Sequence, residues 1–165
     1  MKKNRKIVVT IIISLLSFMV LAYLAGSISS GSFNYAQQYQ FNVSKAQLIK
    51  SIEKYKSENK RYNPPLNCNA RDSLDDYTSN LTVYVFYPDQ NSIVCFVIHS
   101  HEAKISYIYL VSINEGLTTP YYKRVNKDFD RNDNLKIKAE FKERVLNKLG
   151  LSYKDKGNGM LIFWK

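Results

Sequence analysis

From Ile7 to Ala25 the chain is apolar almost without a break (IVVTIIISLLSFMVLAYLA), with only Thr10, Ser14 and Ser17 interrupting the run. Nineteen helical residues extend about 28 Å, close to the hydrocarbon thickness of a bilayer. Lys2, Lys3, Arg5 and Lys6 precede the run and predict a cytoplasmic N-terminal side. The pattern therefore predicts a membrane anchor over residues 1–25, with everything after it on the far side. A cleaved signal peptide is the competing reading. This apolar core exceeds the roughly 7–15 residues usual for such a peptide, and Ala22 and Ala25 miss the A-x-A spacing. Under either reading the remainder is exported.

Gly26–Gln40 is uncharged and rich in serine, glycine and glutamine, which predicts a flexible tether of up to about 50 Å. Tyr35, Tyr39 and Phe41 near its end suggest an edge strand against the domain that occupies residues 41–165. A helical period follows. Ser44 is placed as N-cap with Gln47 as its capping-box partner, and Val43 and Leu48 sit at staple positions. Leu48, Ile52, Tyr55 and Tyr62 form the apolar arc, and Lys50, Lys54 and Arg61 lie opposite, available to a membrane surface. Asn63-Pro64-Pro65 ends this helix.

After a polar loop over Pro64–Asn80 the period becomes two. Leu81–Tyr87, Ser92–Ser100 and Ile105–Ile113 are joined by short turns and predict an antiparallel meander, with Tyr121–Val125 as a shorter fourth strand. The middle strand is apolar on both faces, which places it centrally. Asp128–Asn134 opens a second helix over Asn134–Leu149, whose expected buried arc is Leu135, Ala139, Leu146 and Leu149, widened by Phe141 and Val145. Gly150 stops it. A turn at Lys156–Gly159 and a closing strand over Met160–Trp164 complete the chain. The expected fold class is α+β: a single transmembrane helix plus one small domain, an antiparallel β-meander packed against two helices.

Charge and cysteines add to this picture. With the four N-terminal bases set aside, twenty basic side chains face fourteen acidic ones, an excess of six. That balance suits an anionic partner such as lipid headgroups or an acidic envelope protein, and export makes nucleic acid a poor candidate. Cys68 and Cys95 are the only cysteines, and an even count in an exported domain predicts a Cys68–Cys95 disulfide that staples the polar loop to the middle strand.

Candidate chemistry is sparse. His99, His101 and Glu102 form the one histidine cluster, and with the cysteines they fit no standard zinc spacing. Asp128, Asp130, Asn132 and Asn134 resemble the first half of a calcium loop, but Asp133 stands where that loop needs glycine and Ala139 where it needs a bidentate glutamate. Helix capping accounts for them more simply. No P-loop, nucleophile elbow, dinucleotide fingerprint or H-E-x-x-H motif occurs. The sequence thus predicts neither cofactor nor metal and no catalytic residue.

The expectation is a non-enzymatic protein-binding domain on the periplasmic side of a bacterial inner membrane, either an accessory subunit of an envelope or secretion assembly or a toxin-immunity protein. Tyr84, Phe86, Tyr107, Tyr109, Tyr121 and Tyr122 are its expected contact residues, because exposed aromatic rings anchor interfaces. The alternative is an envelope enzyme, or a protein binding polyanions or peptidoglycan, that uses the acidic turn at 128–134 with His99 and His101.

Overall fold

A computed structural model describes residues 13–19, 33–117 and 121–158. The chain divides into two compact units, Met1–Ser32 and Phe33–Lys165. In the first, residues 13–19 are helical and exposed. No helix among the described residues is long and apolar enough to cross a membrane, and the expected span Ile7–Ala25 lies mostly outside them.

The second unit is α+β. A seven-stranded antiparallel sheet contains β1 (Gln37–Phe41), β2 (Ser73–Leu74), β3 (Leu81–Tyr87), β4 (Ser92–Glu102), β5 (Ile105–Glu115), β6 (Tyr122–Arg124) and β7 (Tyr153–Asn158). Its order is β2-β3-β4-β5-β1-β7, and β6 pairs with β5 beyond the end of β1. The hairpins β3–β4–β5 form the meander that the alternation predicts, and β4 is central and buried on both faces.

Helix α1 (Lys45–Glu58) begins as the sequence predicts. The Ser44 side chain accepts from the Gln47 amide, and the Ser44 amide donates to Gln47 Oε1 at 3.0 Å. Leu48, Ile52 and Tyr55 are buried, and Lys50 and Lys54 lie on the exposed side. The helix ends before the prolines, because the Asn59 side chain donates to the Tyr55 carbonyl at 2.8 Å and caps it there. A 3-10 turn over Lys60–Tyr62 then buries Tyr62.

Helix α2 spans Arg131–Arg144, with Asp130 as N-cap, and a 3-10 turn at Leu146–Lys148 follows. Its buried side is the expected one over its second half and differs at its start. Phe141, Val145, Leu146 and Leu149 are buried as expected, but Leu135 is 56% exposed and Ala139 is exposed, and Asn134 points inward instead. The helix starts three residues earlier than expected, and the Asn134 amide is its buried clasp. Asn134 Oδ1 accepts from the Asn126 amide at 2.6 Å, and Nδ2 donates to the Phe129 and Asp130 carbonyls. Gly150 has φ of +67°, the left-handed geometry that suits a helix stop.

Both helices pack on one face of the sheet. There Tyr39, Phe41, Val83, Val85, Val94, Phe96, Ile98, Ile108 and Leu110 meet Leu48, Ile52, Tyr55, Phe141, Val145 and Leu146. Phe141 anchors this core edge-on to Phe96, with ring centroids 5.3 Å apart, and also meets Tyr39.

Two expectations about strands are corrected. Strand β1 is not an edge but lies between β5 and β7, so the supposed tether is sheet from Gln37 onward. The residues expected to turn at 156–158 form strand β7 instead, because β1 offers an open row of backbone groups and pairing satisfies them. The expected closing strand at Met160–Trp164 lies outside the described residues.

Candidate functional site

Register assigns the other face of the sheet. Phe86 stands opposite Ile93, Ile93 opposite Asn114, and Asn114 opposite Tyr122. In the next row Tyr84 meets Cys95, Cys95 meets Ser112, and Ser112 meets Arg124. Further along, Val97 pairs with Tyr109 and Tyr109 with Gln38, while His99 pairs with Tyr107 and Tyr107 with Gln40. Strand alternation thus places five of the six predicted contact residues on the face away from the helices. Tyr84, Phe86, Tyr107 and Tyr109 are half-buried there and Tyr122 is 37% exposed. Tyr121 is the exception. It precedes β6, alternates away from Tyr122 and is 77% exposed.

The rings form two groups. Tyr84 lies 6.4 Å from Tyr122, and with Phe86 it borders a small apolar core of Cys68, Ala70 and Ile93. Tyr109 meets Phe33, Tyr107 and His99 at 5.7, 6.2 and 6.4 Å. Burial pushes the Tyr84 hydroxyl up to about 12 and raises those of Tyr109 and Tyr122, so all three remain neutral hydrogen-bonding groups. Phe33 and Gln38 belong to this face and were absent from the sequence-based set. Gln38 Nε2 donates to Tyr109 Oη at 3.1 Å. Alternation in QQYQF, with Tyr39 and Phe41 inward, was the signal that could have found Gln38.

The loop over Pro64–Asn80 lies along this face and is held without a bridge. Asp72 Oδ1 accepts from the Tyr84 amide at 3.0 Å, and Lys56 Nζ from α1 reaches Asp72 Oδ2 at 2.6 Å and the Tyr84 carbonyl at 3.1 Å. Arg71 donates to the Leu66 carbonyl at 2.7 Å. Cys68 and Cys95 are buried free thiols here and not the expected disulfide. Cys68 Sγ is turned to the Pro65 carbonyl at 3.0 Å, while the Cys95 thiol meets Ser112 and Tyr84. Burial raises Cys95 to about 11, which makes it a poor nucleophile at neutral pH.

The acidic turn and His99 are not brought together. Asp128 accepts from the Arg124 amide and guanidinium, and Asp130 accepts from the Asp133 amide at 2.8 Å. The His99 ring pairs with Asn80 Oδ1. His99 is four residues along β4 from Cys95, whose row ends at Arg124, a separation of about 13 Å along the strand. His101 lies in β4. Among the described residues no group of three His, Cys, Asp or Glu side chains is placed to hold a metal ion. Of the residues expected at a membrane surface, Lys50 and Lys54 are exposed on α1, Lys54 lying 3.8 Å from Glu58, and Arg61 lies over the Tyr62 ring. No protein-family model matches the chain, nor does any curated protein or solved structure.

Proposed function

We propose that this chain is a membrane-anchored, export-side binding protein that holds a protein partner of the cell envelope and performs no catalysis of its own. The observation that carries the reading is a sheet that packs α1 and α2 on one face and carries half-exposed rings of Tyr84, Phe86, Tyr107, Tyr109 and Tyr122 on the other. Such a surface offers large contact area at low entropic cost. The basic residues at positions 2–6 and the apolar run Ile7–Ala25 support insertion in a bacterial inner membrane with the domain in the periplasm. Lys50, Lys54 and Arg61 are basic groups for the lipid surface, and the positive balance favours an acidic partner. The role is that of an accessory subunit of an envelope or secretion assembly, or of an immunity protein that blocks a toxin.

Photo-crosslinking in native membranes tests this. A benzophenone side chain at position 107 or 122 of the full chain is expected to trap one protein partner that a probe at position 50 does not. Tyr107→Ser with Tyr122→Ser should abolish the adduct without lowering Tm. An adduct that survives this double substitution, or equal trapping from all three positions, sinks the proposed face.

A further inference from the structure

A groove of about 790 Å³ opens on the helical side of the molecule, between the turn after α1, the β3–β4 turn and the end of α2. Arg61, Arg144 and Lys148 line it against Asp89, Glu140 and Glu143, so its formal charges cancel. They are not all used internally. Arg144 and Asp89 neutralise each other, and Glu140 accepts from Gln90 at 2.9 Å. Arg61 and Lys148 form no salt bridge among the described residues and sit over the same Tyr62 ring, 4.8 and 5.6 Å from its centroid. Glu143 on α2 also forms none among the described residues. The groove therefore keeps two cations beside one aromatic ring and a carboxylate on α2.

Behind two of its lining residues, Tyr62 and Arg144, lies a second observation. Tyr55 and Tyr87 are 2% and 1% exposed, and neither hydroxyl has a hydrogen-bond partner. Burying a hydroxyl unpaired is unfavourable. Both rings flank Tyr62, at 6.1 and 6.2 Å. The charged groups felt by the two hydroxyls are groove groups: Arg61 and Arg144 for Tyr55, Arg144 and Glu140 for Tyr87. Burial raises both well above the ordinary tyrosine range, so both stay protonated and able to donate.

We infer that this groove is a binding site for a small zwitterion, a ligand that joins an oxyanion to an ammonium group. Arg61 and Lys148 attract the oxyanion, and the Tyr87 hydroxyl, buried behind the lining, donates to it where the ligand moves Arg144 aside. Glu143, with Glu140, takes the ammonium. The Arg144 guanidinium lies 4.7 Å over the Tyr87 ring, so a ligand that reaches that hydroxyl displaces the Arg144 side chain. The three acids disfavour a simple anion and the three bases a simple cation. Free peptides and phosphoethanolamine headgroups both carry the required pair of charges. The site is on the helical side, apart from the aromatic face, and does not depend on the partner proposed for that face.

Calorimetric titration of the full chain in non-ionic detergent tests the inference, with triglycine and O-phosphoethanolamine as probes and N-acetyltriglycine amide and inorganic phosphate as controls. At least one zwitterion is expected to bind saturably, with each control weaker by about tenfold or more. Binding of triglycine alone identifies a carboxylate ligand, and binding of phosphoethanolamine alone identifies a phosphate ligand. Arg61→Ala with Lys148→Ala should weaken binding by about tenfold or more. Tyr87→Phe should also weaken it while raising Tm, a combination that a purely structural hydroxyl does not produce. Failure of both zwitterions to bind at millimolar concentration, equal binding of the controls, or affinity unchanged in the double variant overturns the site.

Discussion

The Arg144 guanidinium grips both carboxylate oxygens of Asp89, at 2.6 and 2.7 Å, and so fastens the end of α2 to the β3–β4 turn. The same guanidinium covers the Tyr87 ring, so one side chain links a helix, a turn and the core.

That pair makes stability depend on acid. The Arg144 hydrogen bonds hold the Asp89 carboxyl below the usual range. At Asp155 burial pushes upward, but the Lys142 ammonium and the Gly157 amide outweigh it and the carboxyl is again lowered. A group lowered on folding contributes fully above the unfolded carboxylate pKa, about 4, and loses that contribution as pH falls towards the folded value. Tm should therefore hold from pH 7 to about 5 and drop below about 4. Asp89→Asn should make the drop shallower, which thermal melts across this range will show.

Asn134 is the substitution expected to be most damaging outside the apolar core. It is buried, and its amide serves the Asn126 amide and two carbonyls of the β6–α2 turn, while Asn126 itself sits at φ of 62°. Asn134→Ala leaves those groups unpaired and should cost about 2–3 kcal/mol in urea denaturation. Asn132→Ala, on the exposed side of the same helix turn, should change little.

Tyr87→Phe should go the other way. The hydroxyl is buried without a partner, so removing it in an otherwise isosteric ring is expected to stabilise the unliganded chain by about 1 kcal/mol. A Tm that falls shows that the hydroxyl has a partner in solution, such as an ordered water.

For the cysteines the expected outcome is protection without oxidation. Both thiols are buried, and burial raises Cys95 to about 11, so alkylation of the folded chain at neutral pH should be slow. Denaturation without reductant should release two alkylatable thiols per chain. Recovery of none from protein taken out of its own compartment means that the bridge forms there, linking the loop to β4 on the open face.

Much of the aromatic face was legible in the sequence because period-two alternation sorts side chains whatever pairs with the strand. LTVYVFY alone separates Val83, Val85 and Tyr87 from Tyr84 and Phe86. The groove was not legible. Tyr55 and Tyr62 read as positions of a helix's apolar arc and Tyr87 as the end of a strand, and their joint position with Arg61 and Lys148 depends on two turns and a helix end meeting in space. The Lys56–Asp72 clasp was hidden for the same reason, since sixteen residues separate its partners.

Local chemistry sufficed for α1 and for the meander. The Ser44–Gln47 capping box, the 3.6-residue apolar period and the doubly apolar β4 each act within a few residues, so the chain carries them unaided. Strand β7 is different. YKDKGN has no alternation and Tyr153 as its one apolar side chain, and it is a strand because β1 presents unpaired backbone groups beside it. The departure at the start of α2 is likewise set from outside, since the Asn126 turn draws Asn134 inward and leaves Leu135 in solvent. In both cases the deciding energy is a backbone or amide hydrogen bond made with residues outside the element, and no local pattern encodes the partner.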